Sequence, residues 1–295
     1  MIANRSNFQF NLTSASINAV EMMATTNSDA NTGAKRRAEG RNSSIVRTFS
    51  RIRLFIFLAM LAATGISRGE DAPEAKFARR AEQNYQEARQ KFQSNTNDAD
   101  AAWQLGRACF DWADVAKNDG QRETIANEGI AVCRQLIARD AKSAAGHYYL
   151  GLDLGELAQT KTLGALRIVQ EMEREFKAVR DLDPKFDHAG PDRNLGLLYL
   201  EAPGWPASIG SKPKARKHLE RAVELSPDYP ENHLCLLEAY LKWDDQKSLQ
   251  RETKVVEELL PKARKEFTGD TWAQSWADWN KRWEKIQKKA VELKK

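Results

Sequence analysis

Histidine and cysteine side chains are the best suited to hold a metal or attack a substrate, and this chain has four of the first and three of the second. Their spacing argues against both chemistries. His147, His188, His218 and His233 are dispersed, and none has a second His or Cys at the short spacing a compact metal site uses. Cys109, Cys133 and Cys235 make no C-x-x-C pair, so each is expected as a small buried hydrophobe. In an oxidising compartment Cys109 and Cys133 are the two that would join, leaving one thiol over. No serine occupies a G-x-S-x-G elbow. The stretch from Gly204 to Lys212 approximates a phosphate-binding loop. It is one residue too long, reverses the Lys and Ser, and follows no apolar strand. Ser211 is instead expected to cap a helix with Pro213 in its first turn. No catalytic, cofactor-binding or metal-ligating residue is assigned, no cofactor is expected, and the chain is read as a non-enzyme.

What does recur is a packing signal. Leu105-Gly106, Leu150-Gly151 and Leu195-Gly196 follow one another at intervals of 45 residues, and Leu236-Leu237 echoes them 41 residues on. That period predicts stacked helix pairs rather than one globular core. From Ala72 onward Ala, Leu, Glu, Lys and Arg dominate, a helix-forming composition, with Pro and Gly at the breaks. A first helix is expected over 73–92, entered at Pro73. Pairs are then expected over 99–115 with 122–139, 144–157 with 163–182, 192–199 with 213–225, and 231–243 with 245–267, the last kinked at Pro261. A terminal helix from residue 271 carries Trp272, Trp276, Trp279, Trp283, Ile286, Ala290 and Leu293 on one narrow seam. Such a seam packs against another helix, so this element is expected to cap the open end of the array.

The N-terminal part follows different rules. Residues 1–50 are rich in Asn, Ser, Thr and Arg without apolar periodicity, and are expected as a disordered extension. Arg51 and Arg53 then precede an uncharged, mostly apolar run over 54–66, followed by Ser67, Arg68 and Gly69, the layout of a signal peptide over 51–69. The run falls short of the roughly 20 residues that span a bilayer. The expected location is the periplasm after export, the alternative being an inner-membrane anchor over 54–66. This leader also explains the formal charge of +5, since residues 1–69 hold nine Lys/Arg against three acidic residues. The helical domain over 70–295 holds 37 basic and 38 acidic residues, so nucleic acid is not expected as a partner.

Within the pairs the residues resemble the tetratricopeptide repeat. Leu195, Gly196 and Tyr199 match its first helix, and Ala215, Leu219, Ala222 and Pro227 its second. His147, Leu150 and Gly151 open the second pair, which closes on Asp183-Pro184, and His233, Leu236 and Tyr240 open the fourth. A narrower resemblance covers residues 98–243. It rests on Ala144–Gly151, on Leu198–Pro206 followed by Gly210, Ser211 and Lys212, and on Ala222–His233. These segments are similar to the T-component (TatT) family linked to tripartite ATP-independent periplasmic transporters. The resemblance implies an exported, non-enzymatic helical-repeat protein working beside a periplasmic solute-binding protein. It does not extend to a lipid anchor, because the leader has no cysteine near its end. The alternatives are a general scaffold for envelope proteins and an uncharacterised exported hydrolase, and a second copy of the chain is a further candidate partner.

The fold expected is therefore an all-α, tetratricopeptide-like solenoid of antiparallel helix pairs with a C-terminal capping helix. Proteins of the tetratricopeptide type bind through the inner face of the first helix of each pair. Counted from each Leu-Gly pair, the resemblance places Trp103, Arg107, Phe110 and Asp111 there in the first repeat, and Tyr148, Leu152 and Glu156 in the second. It places Arg193, Leu197 and Glu201 there in the third, and Leu234, Glu238 and Lys242 in the fourth. Trp103 and Tyr148 are expected as aromatic anchors, and Arg107 and Arg193 as groups that orient an acidic or polar group of the ligand, pointing away from the helix-pair core so that folding survives their loss.

Overall fold

The computed structural model describes residues 73–161 and 164–292. The expected extension over 1–50 and leader over 51–69 lie outside the described residues. Helix α1 (Pro73–Ser94) leads into four pairs: α2 (Ala99–Ala113) with α3 (Asp119–Arg139), α4 (Ala144–Gln159) with α5 (Ala165–Leu182), α6 (Phe186–Glu201) with α7 (Lys212–Leu225), and α8 (Pro230–Lys242) with α9 (Gln246–Glu266). A 3-10 turn at Asp270–Trp272 then opens α10 (Ala273–Glu292). Among the described residues the one β feature is an isolated bridge between Gly204 and Gly210. Helix α9 runs continuously through Pro261, so the expected kink does not end it.

Local chemistry sets the boundaries. The Asp98 carboxylate accepts from the backbone N–H groups of Asp100 and Ala101 at 2.8 and 3.1 Å, satisfying donors that the first turn of α2 leaves open. Asn118, Ser143 and Asp245 cap α3, α4 and α9 in the same way. Ser211 caps α7 as expected, with Pro213 in the first turn, which makes the Gly204–Lys212 stretch a linker between helices.

Each first helix packs on its partner, the first helices α2 and α4 meet, as do α6 and α8, and the terminal helix α10 packs on α8. The Leu-Gly signal is the contact point. A Cβ added at Gly151 would lie 2.6 Å from the Phe176 ring, and one at Gly196 would lie 2.6 Å from Leu219. Leu150 and Leu195 fill the space beside these close approaches and are buried. Gly151→Ala is accordingly expected to destabilise the chain by about 1–3 kcal/mol, because Phe176 must leave its rotamer. Urea unfolding followed by circular dichroism checks this, and an unchanged midpoint counts against the packing account.

His147 and His233 occupy the same repeat position and form the same clip. His147 Nδ1 lies 2.6 Å from Glu175 Oε2 and its Nε2 lies 3.1 Å from the Ala141 carbonyl. In the fourth pair, His233 Nδ1 lies 2.5 Å from Glu252 Oε1 and its Nε2 lies 2.7 Å from the Pro227 carbonyl. Each ring thus ties the second helix of its pair to the turn before the first. An imidazole between two acceptors donates to both only when protonated. The hydrogen bond to Glu175 raises the His147 pKa, burial opposes it, and the Ala141 carbonyl and Asp140 add to the rise. A raised folded pKa contributes stability that is complete below the unfolded value and disappears as pH rises through the folded one. The stability gap between wild type and His147→Gln should therefore shrink as pH climbs from about 6.5 upward. A gap independent of pH would contradict the clip.

Candidate functional site

Of the thirteen residues placed on the inner face, Leu152, Leu197 and Leu234 are buried aliphatics, and the other ten divide into two groups. Trp103, Arg107, Asp111, Glu201 and Glu238 are partly exposed, and Lys242 is exposed. Phe110, Tyr148, Glu156 and Arg193 are buried. Trp103 stacks on Tyr149 at 5.9 Å and donates its indole N–H to Asp100, and Arg107 lies 3.7 Å from Asp111 one turn on. Lys242 reaches across from α8 to Glu201 of α6 at 2.9 Å. Glu238 is clasped by Arg282 of α10, with two N–H···O contacts of 2.9 Å. Glu156 pairs with Arg122, yet burial outweighs that partner and pushes its carboxyl up.

Two expectations need correction. Tyr148 is not an open anchor and Arg193 does not face solvent: they are 0% and 1% exposed. The reason is a segment of the chain itself. Between α5 and the regular part of α6, Asp187, His188 and Ala189 have φ of 52°, 52° and 62°, a left-handed turn of three non-glycine residues. That conformation costs about 1–2 kcal/mol per residue. The turn sets Phe186 against the rings of Tyr148 and Tyr149, at 5.0 and 6.5 Å. It also buries the Asp187 carboxylate, which accepts from the Tyr148 hydroxyl and from Arg193 Nη2, the latter at 2.8 Å. His188 stacks on Tyr229 at 4.2 Å, and burial lowers its pKa.

A polar network radiates from Arg193. Its Nη1 donates to Asn232 Oδ1 at 2.9 Å, and Asn232 in turn holds the carbonyls of His188, Ala222 and Ser226. Asn194 donates to the Tyr148 hydroxyl at 3.1 Å. Burial opposes the Arg193 charge, but Tyr148, Asp187, Tyr229 and Glu231 together hold its pKa above the ordinary value. Towards the C-terminal end, Arg282 Nη1 lies 2.6 Å from Glu231 Oε1, and Trp279 donates to Glu231 Oε2 at 2.7 Å. Burial of Glu231 is overcome by Arg282 and Arg193, so its pKa is lowered and it stays ionised.

Sequence reasoning missed Phe186, Asp187, Asn194, Glu231, Asn232 and Arg282. One signal for the turn existed: Asp183 to Leu195 is longer by two residues than Asp140 to Leu150 or Ser226 to Leu236. Glu231 and Arg282 gave none, since each looks like an ordinary solvated helix residue. All three cysteines are buried free thiols, as expected of small buried hydrophobes. Among the described residues no group of three potential ligands could hold a metal ion, and no helix is long and apolar enough to cross a membrane.

The stacked pairs, the Leu-Gly contacts and the capping helix define an all-α helical-repeat solenoid of the tetratricopeptide type. Comparison with known structures agrees on the fold. A thermophilic TPR protein of Thermus thermophilus superposes with a TM-score of 0.51 at 18% identity, over 72% of this chain and 98% of that one. By sequence, the family described as Regulator of microtubule dynamics protein 1-3 matches residues 71–168. No curated relative matches the chain.

Proposed function

We propose that the chain is a protein-binding scaffold that is exported and serves as a non-enzymatic accessory to periplasmic solute uptake. The observation that carries the binding role is the polar investment of the first-helix face. Asp187, Arg193, Glu231, Asn232 and Arg282 are placed there with buried side chains. Buried ion pairs often contribute no more to stability than well-packed apolar side chains of the same volume, and what this network supplies is one fixed arrangement of the helices that carry the face. Around it lie partly exposed aromatic and charged groups, Trp103, Arg107, Asp111 and Glu201, the mixture that a protein-binding surface uses. Export is supported by the basic-flanked apolar run over 51–69, and the solute-uptake role by the resemblance of residues 98–243 to the T-component family.

A charge swap tests the face. In Glu201→Lys with Lys242→Glu, the surface ion pair is retained with its polarity reversed, so folding is preserved while the field a partner meets is inverted. Recovery of a periplasmic solute-binding protein from envelope extract is expected to fall at least tenfold in a pull-down, and equal recovery by both proteins moves the site elsewhere. N-terminal sequencing of envelope protein tests export: a mature terminus after residue 69 supports it, and full-length chain in the cytosol opposes it. A second reading is favoured by the match over residues 71–168, whose family is named for regulating microtubule dynamics. Co-sedimentation with microtubules that depends on residues of α2–α4 would support that reading over solute uptake.

A further inference from the structure

In the second and fourth pairs the chain takes ten steps from the helix end to the packing leucine, Asp140 to Leu150 and Ser226 to Leu236. In the third it takes twelve, Asp183 to Leu195. The additional length is not spent at the surface. It is wound left-handed over Asp187–Ala189 and delivers two side chains of different chemistry into the first-helix face. Phe186 enters a box formed by Tyr148 and Tyr149, and Asp187 enters beside Arg193 and the Tyr148 hydroxyl, its side chain 1% exposed.

We propose that Phe186 and Asp187 are a built-in ligand of this face, and that the face recognises partner segments in which an aromatic residue is followed by a carboxylate. The proposal rests on the scaffold reading above and names the chemistry of its ligand. A turn designed only to connect two helices is made at this point from glycine or asparagine, which adopt positive φ with little cost. Here histidine and alanine hold that conformation beside an aspartate, and the aspartate's carboxylate is desolvated to reach an arginine. The receptor side is also built for more than the loop supplies. The Tyr149 hydroxyl is buried and has no hydrogen-bond partner among the described residues, so a longer segment can offer it an acceptor. The loop is held by side chains more than by a helical ladder: the Asp187 and His188 carbonyls accept from Arg193 at 3.2–3.3 Å and the His188 carbonyl from Asn232 at 3.0 Å, while the Ala189 amide reaches the Lys185 carbonyl at a long 3.4 Å. It can therefore lift without unwinding α5. As a tethered ligand it competes at an effective concentration on the order of millimolar, and so sets the strength a partner must exceed.

The probe is a fluorescein-labelled peptide with the sequence of residues 185–189, Lys-Phe-Asp-His-Ala, blocked at both ends and titrated by anisotropy into the full chain. Wild type should bind it weakly, because its own loop competes. Phe186→Ala removes the loop's aromatic anchor, so the peptide displaces the loop with its Asp187 more readily and should bind at least tenfold more tightly. A peptide with Asn in place of Asp should lose at least tenfold against that variant. The proposal is overturned if folded Phe186→Ala binds no better than wild type, or if the Asn peptide binds equally well. Hydrogen exchange on wild type gives an independent readout: saturating peptide should speed exchange at Asp187–Gly190, and unchanged rates there also overturn it. Either failure, with charge-swap-sensitive partner capture intact, removes the built-in ligand and leaves the scaffold. Loss of partner selectivity with the peptide results intact does the reverse.

Discussion

Replacing Arg193 with alanine is expected to destabilise the folded chain by about 3–5 kcal/mol, the cost of leaving a buried partner charge uncompensated. The side chain is 1% exposed and lies 2.8 Å from the Asp187 carboxylate, whose own side chain is 1% exposed. Its removal also deprives Asn232 of a donor and Tyr148 of a neighbour. For a domain of this size the loss corresponds to a fall in Tm of roughly 6–20 °C. Lys242→Ala is the control: that ammonium is 50% exposed and meets Glu201 and the Leu200 carbonyl at the surface, so its removal should move stability by no more than about 0.5 kcal/mol. Thermal unfolding of the two variants side by side checks both statements, and similar midpoints would show that the network around Arg193 is not a structural centre.

Trp279→Ala is expected to cost about 3–5 kcal/mol, the range for emptying a fully buried aromatic site. Trp279 is 0% exposed. Its ring packs edge-on against Trp276 at 5.0 Å and Tyr229 at 5.6 Å, and its N–H holds Glu231. The change removes apolar volume and one partner of a buried carboxylate together, so α10 should detach from α8 before the rest of the array unfolds. Trp205, 87% exposed in the linker before α7, provides the contrast and should be replaceable by alanine at little cost. Native-state hydrogen exchange distinguishes the cases: early exposure confined to α8–α10 is expected in Trp279→Ala, and uniform loosening would argue against a cap.

The repeat architecture was legible because it is local. Gly151 and Gly196 mark close approaches that recur with the 45-residue repeat, and Ser211 with Pro213 announces the start of α7. The tryptophan seam of the last helix was equally plain, because a narrow apolar stripe needs a neighbour. The state of the inner face was not legible. Counting from the Leu-Gly pairs located Tyr148 and Arg193 on that face, but the count carries no information about what covers it. Phe186 and Asp187 arrive through backbone dihedrals that aspartate, histidine and alanine seldom adopt, and Arg282 arrives from 51 residues beyond Glu231. Even spacing of 45 residues also hid the longer third connection, since a short second helix, α5, compensates for it.

The most direct test of the central claim, that the array holds a protein on its first-helix face, is photo-crosslinking in cells. A photoreactive phenylalanine is placed at Glu201, partly exposed on α6, and separately at Arg174, exposed on the second helix α5. The account predicts a discrete protein adduct from position 201 that is absent from position 174. No adduct at 201, or the same adduct at both positions, would contradict it.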